Sequence, residues 1–308
     1  MAAPITLVAD FWRARGWQVT ICPTKAAGHA TLLAKTAANN GCRLLLAAGG
    51  DGTLGEVANG LVGSETIMAP LPIGTANSFA KELGMPFPKF YQRHRLLQTA
   101  DALAAGRVHR MDLGYSENGE GNGRYWLLWA GTGVDGFLVH KIEPRPVWSK
   151  KMGSSGYILQ GLIAAPQFPV LRAKINVDGR LFEGEYVLLL INNCRMYGGE
   201  VMLNPEAVLD DGELELWMFK GRGVPRILRH MVAIQRDKHF QDADAIMVRG
   251  KNITITTEPK MGCHTDGDRA GHTPLTCRVV PSALRLLVPN TANPSMFSQP
   301  GKALVEIE

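Results

Sequence analysis

The sequence has no long hydrophobic run, no closely spaced cysteine pair and no dense block of basic residues. Its apolar runs stay well short of the roughly 18 residues that cross a bilayer, and its first ten residues lack the charged start and long apolar stretch of a secretory signal. We therefore expect a cytoplasmic protein. The five cysteines are odd in number and include no C-x-x-C pair, which indicates reduced, mostly packed thiols rather than metal or redox ligands.

The composition is that of an ordinary globular protein. With 308 residues, 45% of them hydrophobic and 20% charged, the chain can bury a sizeable core and is long enough for two domains. The net charge of +5 permits weak attraction to anionic lipids, whereas the lack of a Lys/Arg run with interleaved aromatics argues against nucleic acid as a partner. The best local candidate for lipid contact is residues 145–151, for which a solvated loop is the plainer alternative.

The most informative motif is Gly49-Gly50-Asp51-Gly52-Thr53, which lies between an apolar run and a helix-like segment. Glycines at the end of a buried strand let the backbone approach a ligand, and the following helix offers free N–H groups, so an anion is the expected occupant. Thr53 and Glu56 fit a capping box, which is a structural role. Asp51 has no such structural explanation, and a carboxylate beside a phosphate either holds a metal ion or accepts a proton.

A second segment of the same kind follows at residues 71–84. It is a short apolar strand, a turn with Gly74 and Thr75, a helix start at Asn77-Ser78 and a glycine stop at Gly84. Either segment alone could be an ordinary turn. Together they predict two strand-to-helix turns that flank one crevice.

The pattern of elements changes once along the chain. Helix-like stretches alternate with short apolar strands up to about residue 109, which is typical of a parallel α/β layer; these stretches are 5–15, 28–39, 53–61, 78–83 and 91–105. From Arg110 onward strands dominate, at 125–130, 171–177, 186–191, 214–219, 252–257 and 277–280. Helix-like segments interrupt them at 155–165 and 224–236, and Asp178-Gly179 predicts a hairpin turn.

The two loops, GGDGT and LPIGTANSFAKELG, resemble those of the catalytic domain of diacylglycerol-kinase-like bacterial lipid kinases of the YegS type, which are related to sphingosine kinases and NAD kinase. The resemblance continues in order over residues 17–289; its further segments are Gly131 to Asp135, Asn192-Asn193 with Tyr197 to Gly199, Asn204 to Gly212, Thr265 to Asp268 and Pro281 to Leu284. It implies an α/β N-terminal domain with a parallel sheet, over 1–109 plus about 284–308 returning, and a β-rich sandwich C-terminal domain over 110–283. It also places the nucleotide in the interdomain cleft. The tail from Asn290 to Glu308 has no counterpart that we recognise in the family, and we expect it to be mobile.

The resemblance also implies site residues. The nucleotide ATP would be held by the residues that match the family's loops: Thr24, Gly49, Gly50, Asp51, Gly52, Thr53, Leu54, Gly55, Glu56, Gly74, Thr75 and Asn77. Asp51 would engage Mg²⁺ or the phosphate, and Asp135 could join the same network. Asp268 aligns with the family's catalytic glutamate, the general base toward the lipid hydroxyl. A second Mg²⁺ would be bound by the Asp211 side chain and by backbone oxygens of Val208 and Glu213.

Three departures from the family pattern leave alternatives open. Asp268 is one methylene shorter than glutamate, and Ser78 stands where the family usually has aspartate. The sequence also opens at what looks like the helix after the family's first strand, which would leave a sheet edge uncovered. The alternatives are an NAD kinase and a catalytically silent nucleotide- or lipid-binding protein.

The expected partner is a lipid substrate at the membrane surface, with peripheral association at the inner membrane face. The acceptor stays open among diacylglycerol, phosphatidylglycerol, a sphingoid base and another long-chain alcohol, and a homodimer is one alternative for the oligomeric state. The histidines show no metal-ligand spacing and no defensible pairing with Ser or Asp, so we expect them in the core or on the surface.

Overall fold

The chain forms two compact units in a computed structural model that describes residues 2–74, 76–86, 94–142, 167–199 and 201–304. The first unit comprises Met1–Asp112, Val208–Asp211 and Pro281–Glu308. The second comprises Leu113–Ala207 and Gly212–Val280. The helix predicted at 155–165 and the basic segment 145–151 lie outside the described residues.

The first unit alternates helices and strands, as the sequence predicts. Its elements are α1 Ala2–Arg13, α2 His29–Asn39, β1 Leu44–Gly49, α3 Asp51–Leu61, β2 Ile67–Pro72, α4 Ser78–Glu82 and α5 His94–Ala104, with the start of β3 Arg107–Asn118, the end of β15 Leu275–Val288, and β16 Lys302–Ala303. β1 runs parallel to β2, from the pair Leu44 and Ile67 to the pair Gly49 and Pro72. The end of β15 adds to β2 in parallel, with Arg285 opposite Ile67.

Burial in this unit follows from the position of each element. All six residues of β2 are buried, because β2 is paired on both sides and covered by helices. β1 has only β2 as a partner among the described strands, and most of its residues are half-buried. Helix α3 packs closely on α2, where a Cβ at Gly60 would lie 2.7 Å from the Ala34 side chain. The carboxyl ends of β1 and β2 therefore sit side by side, each followed by a helix.

The chain after residue 290 is ordered as far as it is described, so the expected mobile tail is wrong for residues 290–304. It forms a 3-10 turn at Pro294–Met296 and then β16, which pairs with β3 in antiparallel register. Met296, Phe297 and Leu304 are buried. These apolar side chains anchor the tail by burial. The many Pro, Ser and Asn residues around them led the sequence analysis to expect mobility instead.

The second unit is largely antiparallel. Its elements are the end of β3, β4 Gly123–Trp126, β5 Trp129–Gly133, α6 Val134–Ile142, β6 Leu171–Val177, β7 Arg180–Asn192, β8 Met196–Tyr197, β9 Val201–Met202, β10 Leu214–Lys220, α7 Gly223–Gln235, β11 Ala245–Gly250, β12 Asn252–Glu258, β13 Gly262–Thr265, β14 Asp268–His272 and the start of β15. Strand β7 lies at its centre and pairs with β5, β6 and β10. The hydrophobic core of the unit comes from the inward faces of these strands.

The structure of this unit confirms one predicted hairpin turn and corrects one predicted strand. Strands β6 and β7 meet at Asp178-Gly179, both with positive φ, as the predicted hairpin requires. The strand predicted over 125–130 is instead split into β4 and β5 at Leu127-Leu128. The reason is that the carboxylate of Asp266 binds the backbone N–H groups of residues 127–129.

Among the described residues, no helix combines the length and apolar character needed to cross a bilayer.

Candidate active site

Two glycine turns approach each other in the first unit. A Cβ on Gly74 would collide with the backbone of Gly50, and a Cβ on Gly49 would collide with the side chain of Thr53. Glycine is therefore required here by close approach of the backbone. The turn after β1 and the turn after β2 form one continuous surface of main-chain atoms at the carboxyl ends of the two strands.

Asp51 connects these two turns. Its carboxylate accepts hydrogen bonds from the backbone N–H groups of Ser78 and Phe79, both at 3.0 Å, in the first turn of α4. These are N–H groups that a helix start leaves without internal partners. The sequence interpretation that Asp51 has no structural role is therefore wrong. The partners lie 27 and 28 residues away, which no local pattern reveals.

Asn77 closes the second turn on itself. Its Oδ1 accepts from the N–H of Gly74 at 3.0 Å, and its Nδ2 donates to the carbonyl of the same residue at 2.7 Å. Asn77 adopts φ 50°, a left-handed conformation that asparagine tolerates better than most residues. Thr75, which the sequence assigns to the nucleotide, lies outside the described residues.

The predicted capping box of Thr53 and Glu56 is also wrong. Helix α3 begins at Asp51, two residues earlier than predicted, so Thr53 already lies inside its first turn. The N-cap residue is Gly50, and no side-chain hydrogen bond caps the helix there. The Glu56 carboxylate accepts instead from the N–H groups of Gly28 at 2.8 Å and Ala30 at 3.0 Å, at the start of α2. Glu56 thus caps a neighbouring helix rather than its own.

A cavity of about 370 Å³ opens beside these groups in the first unit. It brings together three residues that the sequence assigns to the nucleotide with four that it does not; the lining is Thr24, Thr53 and Glu56, together with Lys25, Ala26, Ala27 and Ala30. Lys25 brings a positive charge to the lining of this cavity. The sequence motifs do not single it out, and nothing local distinguishes it from other surface lysines.

The carboxylates of the predicted catalytic loop have unlike surroundings in the second unit. Asp266 is buried and accepts from Leu127 and Leu128 N–H at 2.8 Å and from Trp129 N–H at 3.2 Å. Burial raises the pKa of Asp266, and the three N–H groups oppose that effect. Asp268, at the start of β14, has a side chain that is 56% exposed and, among the described residues, one ion-pair partner, Arg124 Nη1 at 3.4 Å. Asp266 therefore anchors the loop, and Asp268 is the more accessible of the two carboxylates.

The segment predicted to bind the second cation is a turn around Gly212, which has φ 75°. The Asp210 carboxylate accepts from the N–H groups of Ser298 and Gln299, so Asp210 is committed to the chain's C-terminal segment. The Glu213 carboxylate pairs with Arg249 Nε at 3.4 Å. No cluster of three or more His, Cys, Asp or Glu side chains that could hold a metal is present in the described part of the chain. Binding through Asp211 and the oxygens of Val208 and Glu213 stays a prediction.

Asp135 forms a pair that the sequence interpretation did not identify. Its Oδ2 lies 2.6 Å from His264 Nε2, and both side chains are buried. The expectation that no histidine pairs with an aspartate is therefore wrong. The two residues are 129 positions apart, and only the pairing of β13 with β5 brings them together.

Comparisons with known proteins identify the family of the chain. The diacylglycerol kinase catalytic domain model matches residues 2–116, and the YegS C-terminal NAD kinase beta sandwich-like domain model matches residues 130–288. A diacylglycerol kinase of Bacillus subtilis (strain 168) is 31% identical over 84% of this chain and 82% of its own length. One from Staphylococcus carnosus (strain TM300) is 27% identical over 84% and 81%.

A solved structure is similar over nearly the same extent. The crystal structure of a diacylglycerol kinase from Bacillus anthracis str. Sterne matches with a TM-score of 0.59 and 25% identity, over 89% of this chain and 84% of that one. Both family models, the sequence relatives and the fold point the same way. The chain belongs to the diacylglycerol kinase family of lipid kinases.

Proposed function

We propose that the protein transfers the γ-phosphoryl group of ATP to the hydroxyl of a membrane lipid, with Mg²⁺. The observation that carries this proposal is the pair of strand-to-helix turns held together by Asp51 beside the cavity of the first unit. Phosphoryl transfer depends mainly on positioning the phosphates and balancing their charge, and backbone N–H groups with a nearby cation serve both needs. Residues 49–56, together with Thr24, Gly74, Thr75 and Asn77, would hold the nucleotide, and Lys25 is available to its phosphates.

The carboxylates fit a hard cation. Each oxygen of Asp51 uses one lone pair for an N–H group and keeps another, so Asp51 can hold Mg²⁺ while it caps α4. Carboxylate and carbonyl oxygens also make up the set assigned to Asp211, Val208 and Glu213. When bound, the ion at Asp51 would neutralise charge on the transferred phosphoryl group.

On the acceptor side, Asp268 would act as the general base. Its carboxylate takes the proton of the lipid hydroxyl as that oxygen forms a bond to the γ-phosphorus, and the bond from the γ-phosphorus to the bridging oxygen breaks to release ADP. Its exposed, weakly paired side chain suits this role better than buried Asp266.

The test of this function is transfer of label from γ-labelled ATP to a panel of lipids in mixed micelles with Mg²⁺, run beside NAD. We expect label on one lipid class and none with the Asp51→Asn variant. Label on NAD would favour an NAD kinase. Binding of ATP with no label on any acceptor would favour a silent binding protein.

We also propose that the protein associates peripherally with anionic membranes through one face of the second unit. Leu228 and Val232, one turn apart on α7, are 40% and 45% exposed. Phe240, in the 3-10 turn after α7, is 47% exposed, and its ring lies 5.7 Å from that of Trp217. Met247, opposite Trp217 in the β10–β11 pair, is exposed as well. We call these four exposed residues the α7 face.

Positive charge accompanies the α7 face. Between Lys220 and Met247 the sequence has six Lys or Arg residues and three Asp, and two of these Asp pair with Arg226 and Arg229. Arg236 and Lys238 are exposed and form no ion pair with any residue that the structure describes. Protein surfaces that combine apolar side chains with nearby cations bind to anionic lipid interfaces.

The proposed role of the α7 face can be tested by vesicle binding. Replacing Leu228→Ser and Val232→Ser together lowers the affinity for vesicles of mixed neutral and anionic lipid by about tenfold, because two apolar side chains no longer enter the interface. Leu181→Ser is the control, since Leu181 is 74% exposed in the same unit but lies elsewhere. Co-sedimentation measures the effect. If Leu181→Ser lowers the affinity equally, the assignment of the α7 face to membrane binding is wrong. If the double variant changes the oligomeric state but not vesicle binding, the α7 face binds a second copy of this chain instead.

A further inference from the structure

The buried pair of Asp135 and His264 has no part in the chemistry described above. The pair is almost fully enclosed, with side chains 8% and 2% exposed. Tyr197 donates its hydroxyl to Asp135 Oδ2 at 3.3 Å, and the Gly136 N–H donates to Oδ1 at 2.7 Å. His264 Nδ1 is buried and has no hydrogen-bond partner among the described residues. Buried ionisable groups are costly, so a pair kept in this way calls for an explanation.

The backbone around the pair is shaped to admit it. A Cβ at Gly131 would lie 3.0 Å from His264 Nε2, 3.2 Å from Asp135 Oδ2 and 2.8 Å from the carbonyl of Leu189. A Cβ at Gly136 would collide with the carbonyl of Gly262. The two glycines are therefore required by this close packing of α6 and β5 on β13, independently of any ligand.

The pair fastens α6 to the hairpin that carries the proposed base. His264 is in β13, four residues before Asp268. Two further hydrogen bonds connect α6 to this hairpin. One is between His140 Nε2 and the Cys263 carbonyl, at 2.9 Å, and in the other Arg269 Nη2 donates to the His140 carbonyl, at 2.8 Å. Of the side-chain contacts between α6 and the hairpin, the aspartate–histidine contact is the shortest that the structure gives.

Asp268 depends on the hairpin for its position. Its side chain is largely exposed and has one long contact, to Arg124, so the backbone rather than side-chain packing sets where the carboxylate lies. Aspartate also has less reach than glutamate to correct a displaced backbone. A displacement near 1 Å at a reacting group can cost about a hundredfold in rate.

We propose that Asp135 and His264 are a positioning pair for Asp268, and that they set kcat through the β13–β14 hairpin without contacting nucleotide, metal or lipid. This inference rests on the proposed function, because it takes Asp268 as the base. It differs from the family-based expectation, in which Asp135 joins the metal network.

Three variants and two measurements test the pair. Asp135→Asn keeps an oxygen that accepts from His264 Nε2–H but turns its NH₂ toward the Gly136 N–H. It therefore costs some stability, while kcat measured well below the unfolding temperature stays within about threefold of the starting protein. Asp135→Ala and His264→Leu remove the contact and lower kcat by roughly 10- to 100-fold, with the KM for ATP unchanged. Hydrogen exchange of residues 262–272 speeds up in the same two variants and not in Asp135→Asn.

The control is His239→Leu. His239 is equally buried in the same unit, and its Nε2 bonds to the Leu203 carbonyl at 2.9 Å. That variant loses stability, as any buried histidine replacement should, but keeps kcat and the exchange of 262–272. This separates a positioning role from a general loss of stability.

Two results would overturn the proposal. One is equal damage from Asp135→Asn and Asp135→Ala with a raised Mg²⁺ requirement, which would return Asp135 to the metal network. The other is unchanged exchange of 262–272 in His264→Leu. If the starting protein labels no lipid, the proposed function fails by itself, and the exchange measurement still decides whether the pair holds the hairpin.

Discussion

Asp268→Asn is expected to lower kcat by roughly 10²- to 10⁴-fold, the usual contribution of a general base. Asparagine has the same shape but cannot accept the proton of the attacking hydroxyl. Because the Asp268 side chain is exposed and its contact with Arg124 is long, the free energy of unfolding should barely change. Label transfer to the best lipid of the panel, with thermal unfolding beside it, measures both quantities.

The matched control for Asp268→Asn is Glu183→Gln. Glu183 is a carboxylate of the same unit whose side chain is 64% exposed and whose ion pair with Lys174 is similarly long, at 3.5 Å. It should leave both rate and stability unchanged. Near-normal kcat in Asp268→Asn would remove Asp268 from the catalytic role, and Asp268→Glu would then be expected to have no effect either.

Asp51→Asn should lose most turnover and, unlike Asp268→Asn, also stability. Asparagine offers one oxygen to the two N–H groups of Ser78 and Phe79, and its own NH₂ then faces a donor. An unsatisfied buried donor costs about 1–3 kcal/mol. Thermal unfolding and label transfer on the same preparation measure the two losses.

The two effects of Asp51→Asn can be separated. Asp10→Asn is the control in the same unit, since Asp10 is exposed and its one ion pair in the described part of the chain is along its own helix, with Arg13. Assays well below the unfolding temperature isolate the rate effect. Unchanged unfolding would contradict the capping of α4, and unchanged turnover would contradict a role for Asp51 with Mg²⁺ or phosphate.

Local patterns were sufficient for the elements whose causes are local. Strand β6 occupies the predicted residues, and its alternating burial repeats the alternation of the sequence. The hairpin at Asp178-Gly179 follows from two residues that tolerate positive φ. Helices α2, α3 and α7 lie within two residues of their predicted ends. In each case the physical cause, periodicity or turn conformation, lies within the segment itself.

The roles of the charged side chains could not be read in the same way, because their partners are distant in sequence. Glu56 was assigned to its own helix, yet its carboxylate caps α2 from 26 residues away. Asp266 breaks the strand predicted over 125–130 from 139 residues away. Capping and pairing energies depend on contacts that exist only after the sheets have formed. Sequence reasoning could name the carboxylates but not distinguish anchors from available groups.

Strand β15 has a consequence for how the protein can be made and cut. The end of β15 completes the sheet of the first unit beside β2, although it is synthesised about 170 residues after Asp112, the end of that unit's main segment. During translation, one edge of a fully buried strand must therefore wait unpaired until the ribosome has nearly finished. A fragment ending near residue 112 should aggregate on expression, and a working minimal version would need residues 281–304 joined back to it.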